Sequence, residues 1–245
     1  MTQAMDENIG EFRAQKSQNM KSTQCIVAES VLSLFEAEES PVLIAVGGPG
    51  GTGKSSFSRQ LAGCLPEASV LRLDDYKTSR SLRKEDGIFG AHPQANDMEM
   101  IEEHLAMLKS GLTIDKPVYN PETGCADRTE SYHSAKFHII DGEVSTYEAF
   151  RHIVDFFIFI DADLTTQLNT RLVRDVQSRN YSQEKALATF WGSNVREFFK
   201  YGIPTKKWAD IVLFCQPDYS LEVVAVSPVV QEKMDILSCS IGISK

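Results

Sequence analysis

The stretch Ile44-Ala-Val-Gly-Gly-Pro-Gly-Gly-Thr-Gly-Lys-Ser-Ser, residues 44–56, limits what this chain can fold into more than any other. Within it, Gly48, Pro49, Gly50, Gly51, Thr52, Gly53, Lys54 and Ser55 fit the pattern G-x-x-x-x-G-K-[ST]. Val42–Val46 just before it is a short aliphatic run that reads as a fully buried strand. After it, Phe57 and Leu61 lie four apart, and Gly63 and Pro66 supply stop signals for a helix. Glycines let successive backbone N–H groups turn inward around phosphate oxygens, and the new helix adds its positive end. In such a loop Lys54 reaches the β- and γ-phosphates and the Ser55 hydroxyl meets magnesium.

Composition narrows the class. The 245 residues are 42% hydrophobic and 24% charged, enough for one sizeable core with a small subdomain. A net charge of −9 argues against a broad nucleic-acid or acidic-membrane surface and leaves local phosphate binding untouched. Five cysteines (Cys25, Cys64, Cys125, Cys215, Cys239) form no C-x-x-C pair, so reduced thiols in a cytoplasmic enzyme is the simple reading. The first residues are polar and acidic, unlike a signal peptide, and no apolar run approaches the roughly 20 residues of a membrane span. Whether the chain forms a homo-oligomer stays open.

Residues 1–40 read as a polar start and a leading helix with Ile26, Val27, Val31, Leu34 and Phe35 on one face; 41–227 as the main domain; 228–245 as a tail. Ser69–Leu73 is a second strand, carrying Asp74, Asp75 and Tyr76 to its carboxyl end. Lys77–Pro93 reads as a basic, functional loop of 17 residues. Asn96 or Asp97 caps a helix bearing Met98, Ile101, Leu105 and Leu108, and residues 112–136 form a small β-hairpin excursion. Strands at Phe137–Asp141, Val154–Ile160 and Ile211–Phe214 alternate with helices at Ser145–Arg151, from Asp163 (carrying Leu164, Leu168, Leu172 and Val176) and at Ser182–Lys200 (amphipathic, with Ala186, Phe190, Phe198 and Phe199). The order predicts an α/β fold with a five-stranded parallel sheet and helices on both faces. Leu221–Val226 is β-prone without an evident place.

Phosphoryl transfer needs a phosphate cradle, magnesium, a base beside the acceptor hydroxyl and cations for the spreading charge. Asp74 is a candidate base, with Asp75 the alternative; Asp141 has the form of a strand-end magnesium carboxylate; Arg171 and Arg174 share a helix face, with Arg179 just beyond. The histidines His92, His104, His133, His138 and His152 show no metal-ligand spacing, and no N-K-x-D guanine motif follows.

With these motifs in hand, residues 42–215 resemble the phosphoribulokinase/uridine kinase family of P-loop small-molecule kinases. Leu73-Asp-Asp-Tyr resembles the segment carrying the catalytic base, which falls on Asp74. Arg83-Lys-Glu-Asp-Gly-Ile, His92-Pro-Gln-Ala-Asn and Lys116-Pro-Val-Tyr-Asn-Pro-Glu-Thr-Gly resemble the phosphoribulokinase version, with Tyr119 at a substrate-side tyrosine. Arg171-Leu-Val-Arg-Asp resembles the lid helix, and Pro204-Thr-Lys-Lys-Trp-Ala-Asp the uridine–cytidine kinase version. The resemblance implies a helical lid (163–200), ATP and Mg2+ as cofactors, a small-molecule acceptor, and no nucleic-acid or membrane partner. It implies catalysis by Asp74, Lys54 and Arg174, a nucleotide held by Gly48–Ser55, Ser56, Arg171 and Arg174, magnesium at Ser55 and Asp141, and an acceptor met by Asp75, Tyr76, Arg83, Tyr119 and Arg179. Asp141-Gly142 stands where the family has Glu-Gly, and Gln167 where uridine kinases have a lid arginine, which suggests a catalytically weakened nucleotide-binding protein as one alternative; an acceptor-independent ATPase is the other.

Overall fold

A computed structural model of the chain describes residues 22–232; the expectations for residues 1–21 and 233–245 lie outside that range. Val42–Gly47 (β1) is buried at every position, and it reads as unbroken apolar sequence because helices cover both of its faces. Val42, Ile44 and Val46 face one layer, closed by Val27, Ala28 and Val31 of α1 (Thr23–Leu34) and by Phe57 and Leu61 of α2 (Lys54–Cys64). Leu43 and Ala45 face the other. There they meet Leu71 of β2 (Ala68–Arg72) and, beyond the short helix α3 (Arg80–Glu85), Ile101, Leu105 and Leu108 of α4 (Met98–Lys109). Asp97 caps α4, its side chain accepting from the Met100 N–H at 3.1 Å.

The chain next makes a separate antiparallel hairpin, β3 (Ile114–Asn120) with β4 (Cys125–Tyr132). It then returns to the sheet through β5 (Phe137–Asp141), β6 (Phe156–Asp161), β7 (Ile211–Cys215) and β8 (Leu221–Val226). The sheet order is β2-β5-β1-β6-β7-β8. Five strands are parallel, as expected; β8 adds a sixth that runs antiparallel to β7. Only Gln216–Ser220 separates β7 from β8, too short for a crossover, so the added strand has to be a hairpin partner. Asp141 pairs in register with both Val46 and Arg72, which brings the carboxyl ends of β1, β2 and β5 level around the loop that leaves β1.

Between β6 and β7 run α5 (Leu164–Val173), a π-helical turn Arg174–Ser178, α6 (Gln183–Phe190), a longer π-helical run Trp191–Phe198 and a last helical turn Phe199–Tyr201. Three local expectations are corrected. Ser145–Arg151 is a series of tight turns with a 3-10 segment at Glu148–Phe150. Ser145 Oγ donates back to the Gly142 carbonyl, giving the backbone an alternative to a helix, and the Thr146 hydroxyl bonds the Thr205 hydroxyl. The 77–93 loop contains α3, which buries no residue and so leaves no apolar period to read. Phe198 is inward as expected, but Phe199 is 69% exposed because the wide π turns shift the register. The inward face of α5 is Thr166, Gln167 and Arg171, continued by Asp175, while Leu164 and Val173 face solvent. Among the described residues no helix is long and apolar enough to cross a membrane.

Candidate active site

The loop between β1 and α2 is shaped by sterics as much as by hydrogen bonds. Gly48 and Gly51 have φ of +137° and +91°. A Cβ would stand 2.1 Å from the Ile160 carbonyl oxygen at the first and 2.7 Å from the Gln167 carbonyl oxygen at the second. Thr52 Oγ1 and Lys54 Nζ both donate to the Pro49 carbonyl, at 3.0 and 2.8 Å, which folds the lysine back over the loop. Burial lowers the Lys54 pKa, and the charges of Glu143, Asp141 and Asp74 act against that, so three carboxylates face the loop's lysine. Ser55 and Ser56 follow in the first turn of α2, where the helix end is positive.

At the end of β5, Asp141 is 5% exposed and its Oδ1 has no hydrogen-bond partner. Burial raises its pKa; the Ser55 hydroxyl beside it and the Lys54 ammonium pull the other way. A buried carboxylate oxygen without a donor is costly, and a divalent cation would satisfy it. Among the described residues no three His, Cys, Asp or Glu side chains are grouped to hold a metal. One carboxylate and one hydroxyl suit magnesium, which keeps waters and takes phosphate oxygens for its remaining positions.

The two aspartates after β2 part company in the 3-10 turn Leu73–Tyr76. Asp74 is 57% exposed on the open side, 3.7 Å from Lys77 Nζ. Crowding by neighbouring atoms raises its pKa, but Lys77, Lys54, Arg179 and Arg72 outweigh that and hold the carboxyl below its ordinary value. Asp75 turns inward and accepts from Lys116 Nζ at 2.9 Å and from the Tyr119 N–H at 3.3 Å, pinning the β3–β4 hairpin to this turn. Tyr76 is 2% exposed, with its hydroxyl 2.8 Å from His104 Nδ1. The structure therefore does not bring Asp75 and Tyr76 to the cleft beside Asp74: consecutive residues of a 3-10 turn point in different directions, and these two are taken up by the hairpin and the core. Arg83 and Tyr119 do come together, at 2.6 Å between Nη2 and the tyrosine hydroxyl, with Arg83 Nε also donating to the Thr78 carbonyl at 3.0 Å.

Opposite them lies the polar face of α5. Arg171 is 5% exposed and its guanidinium presses on Gly50, where a Cβ would stand 2.5 Å from Nη1. It donates to Asn194 Oδ1; Asn194 Nδ2 in turn donates to the Gly50 carbonyl at 2.7 Å and to Gln167 Oε1 at 2.9 Å. Arg174 and Arg179, 38% and 45% exposed, bind the fully buried Asp175 at 3.0 and 3.2 Å, and Arg171 Nε lies 3.7 Å from its other oxygen. One carboxylate thus gathers three arginines, of which Arg171 reaches the glycine loop. Sequence reasoning singled out neither Glu143, nor Asn194, nor Asp175. Glu143 stands only two residues beyond Asp141, which was a usable signal. Asn194 is aimed by a π-helical run that leaves no trace in the pattern of apolar residues.

A mainly parallel sheet with a G-x-x-x-x-G-K-S loop leaving β1, a strand-end carboxylate and an arginine-bearing helix beside that loop is the α/β architecture of P-loop kinases. The model of the phosphoribulokinase/uridine kinase family matches residues 43–222, and the chain belongs to that family. A phosphoribulokinase of Synechocystis is 36% identical over 185 residues, covering 74% of this chain and 55% of that protein. A uridine kinase of Clostridium novyi is 28% identical over 205 residues, covering 81% of this chain and 97% of that protein. The chain thus spans about half the length of the phosphoribulokinases it matches. A solved structure of a protein ascribed as a fructose transport system kinase, from Silicibacter sp. TM1040, shares the fold. Its TM-score is 0.63 at 20% identity, over 72% of this chain and 92% of that one.

Proposed function

We propose that the chain is an ATP-dependent kinase that places the γ-phosphoryl group on a hydroxyl of a small polar metabolite. The acceptor would be a nucleoside such as uridine or a sugar phosphate such as ribulose 5-phosphate. The observation that carries this reading is the placement of Asp74: an exposed, ionised carboxylate opposite the buried lysine of a phosphate loop. A hydrolase could use the same carboxylate to orient water, so the dependence of ADP release on an added acceptor decides between the two.

Bound ATP supplies the transferable group. The backbone of Gly48–Gly53 and the first turn of α2 would bind its phosphates, and Ser55 with Asp141 would hold magnesium. Asp74 would accept the proton of the attacking hydroxyl, and Lys54, Arg171 and Arg174 would offset the charge that spreads over the phosphoryl oxygens. Membership of a family whose relatives are named phosphoribulokinase and uridine kinase supports the reaction class.

The test is ADP release from ATP and magnesium with uridine, cytidine or ribulose 5-phosphate added singly. The reading expects release that depends on one of these acceptors. Asp74→Asn should lower turnover about 10²- to 10⁴-fold while ATP still binds. ADP release that ignores the acceptor, or ATP binding without turnover on any of them, would replace this reading with the ATPase or the weakened binder.

A further inference from the structure

Glu143 follows the Asp141-Gly142 pair and sits where three parts of the molecule meet. Its Oε1 lies 3.7 Å from Arg171 Nη1 on the lid, and its Oε2 accepts from Ser193 Oγ at 3.5 Å. A Cβ on Gly50 of the phosphate loop would come within 2.8 Å of Oε1, and one on Gly90 of the acceptor-side loop within 3.5 Å of Oε2. The side chain is 15% exposed, yet it makes no short hydrogen bond. A carboxylate offers about four acceptor positions, so this one is covered without being satisfied. The same carboxylate is the foremost opposing charge for both Lys54 and Arg171, the two buried cations that face the loop.

We propose that Glu143 is a resident anion of the phosphate cradle. It pairs with Arg171 and faces Lys54 until the phosphates of a nucleotide take its place, and so its charge limits nucleotide affinity. The proposal rests on the nucleotide reading of this site. Lys54 and Arg171 are both buried cations at one glycine loop, and Glu143 is the strongest opposing charge on each, ahead of Asp141 for the lysine and Asp175 for the arginine. Once phosphates arrive with several negative charges, the same carboxylate becomes a like charge at the edge of their site. Its removal should therefore tighten binding, whereas removal of a metal ligand would weaken it. Glu143 acts on this account as a positioning residue, through Arg171 and Lys54.

Calorimetric titration of ATP and of AMP into the full chain, with and without magnesium, separates the cases. Glu143→Gln should bind ATP about tenfold more tightly than the parent chain, the size expected for one like charge a few ångströms from the phosphates in a partly screened cleft. AMP, which lacks the β- and γ-phosphates, should bind both alike. Glu143→Asp keeps the charge and should stay close to the parent. ATP binding by Glu143→Gln that is unchanged or weaker overturns the proposal, and a weakening confined to magnesium-containing buffer identifies a metal ligand instead. An equal gain for AMP, or an Asp variant as tight as the Gln variant, overturns it too. If no form binds ATP, the nucleotide reading fails and takes this proposal with it.

Discussion

Helices α4 and α5 are similar in length, and both are capped by an aspartate, yet they are held by opposite means. α4 turns Ile101, Leu105 and Leu108 onto the sheet, each with no exposed surface. Full burial of such a side chain contributes roughly 1.5–3 kcal/mol, so the helix is anchored by the core. α5 turns Gln167 and Arg171 toward the glycine loop, buries Thr166 against its own Asp163 cap, and leaves Leu164 and Val173 more than half exposed. Its attachment is a set of hydrogen bonds and ion pairs, each worth about 0.5–1.5 kcal/mol net, or somewhat more where a charge takes part. A helix packed on a core is bound by area. A helix held mainly by hydrogen bonds and ion pairs is bound by groups that another polar partner could satisfy instead.

The contrast can be broken at several points. Leu105→Ala should cost about 2–5 kcal/mol, read as a lower denaturation midpoint, with ATP affinity of the folded protein unchanged. A loss under about 1 kcal/mol would mean that α4 is not the anchor described. The core half should also set the acid sensitivity. His138 is fully buried on β5, its Nε2 accepting from the Ala135 N–H at 3.2 Å, and burial lowers its pKa to about 4. Because the folded value lies below the unfolded one of about 6.5, the full contribution is present above pH 6.5 and is lost as pH falls toward 4. The loss should approach roughly 3 kcal/mol, and a His138→Asn variant should show a flatter dependence over that range.

On the other side, Arg171→Gln should lower kcat/KM about 10²-fold, with a smaller loss of stability than Leu105→Ala. The reverse ranking would make α5 a core helix with a polar coat. The smallest effect belongs to Leu164→Ser, expected within about 0.5 kcal/mol of the parent because the side chain is 58% exposed. A cost several times larger would show that the apolar face of α5 is packed after all.

What the sequence disclosed follows the same division. β1, β5, α2 and α4 were legible because their side chains answer to water and to the sheet, and those periods survive in the sequence. The glycine loop was legible because Gly48 and Gly51 have no substitute at their φ values and contacts. Asp141 was legible as the last residue of an apolar strand. The polar inward face of α5 was not legible: Leu164, Leu168, Leu172 and Val176 form a regular stripe, yet Leu164 is exposed, the other three are half-buried, and Thr166, Gln167 and Arg171 turn inward. Asp75 and Tyr76 could not be separated from Asp74, because only the 3-10 turn decides which side each one faces. Asn194 and the outward Phe199 depend on a π-helical run, whose wider turn breaks the period on which such readings depend.

Hydrogen exchange of the backbone amides of α4 and α5, with and without ATP and magnesium, bears most directly on the claim that α5 is a cover bound by polar contacts over a nucleotide site. In the free protein α5 should exchange well before α4, as expected for an element with little buried apolar surface. Adding the nucleotide should slow α5 and the glycine loop while leaving α4 as it was. An α5 as protected as α4 from the start, and indifferent to ATP, would contradict the account.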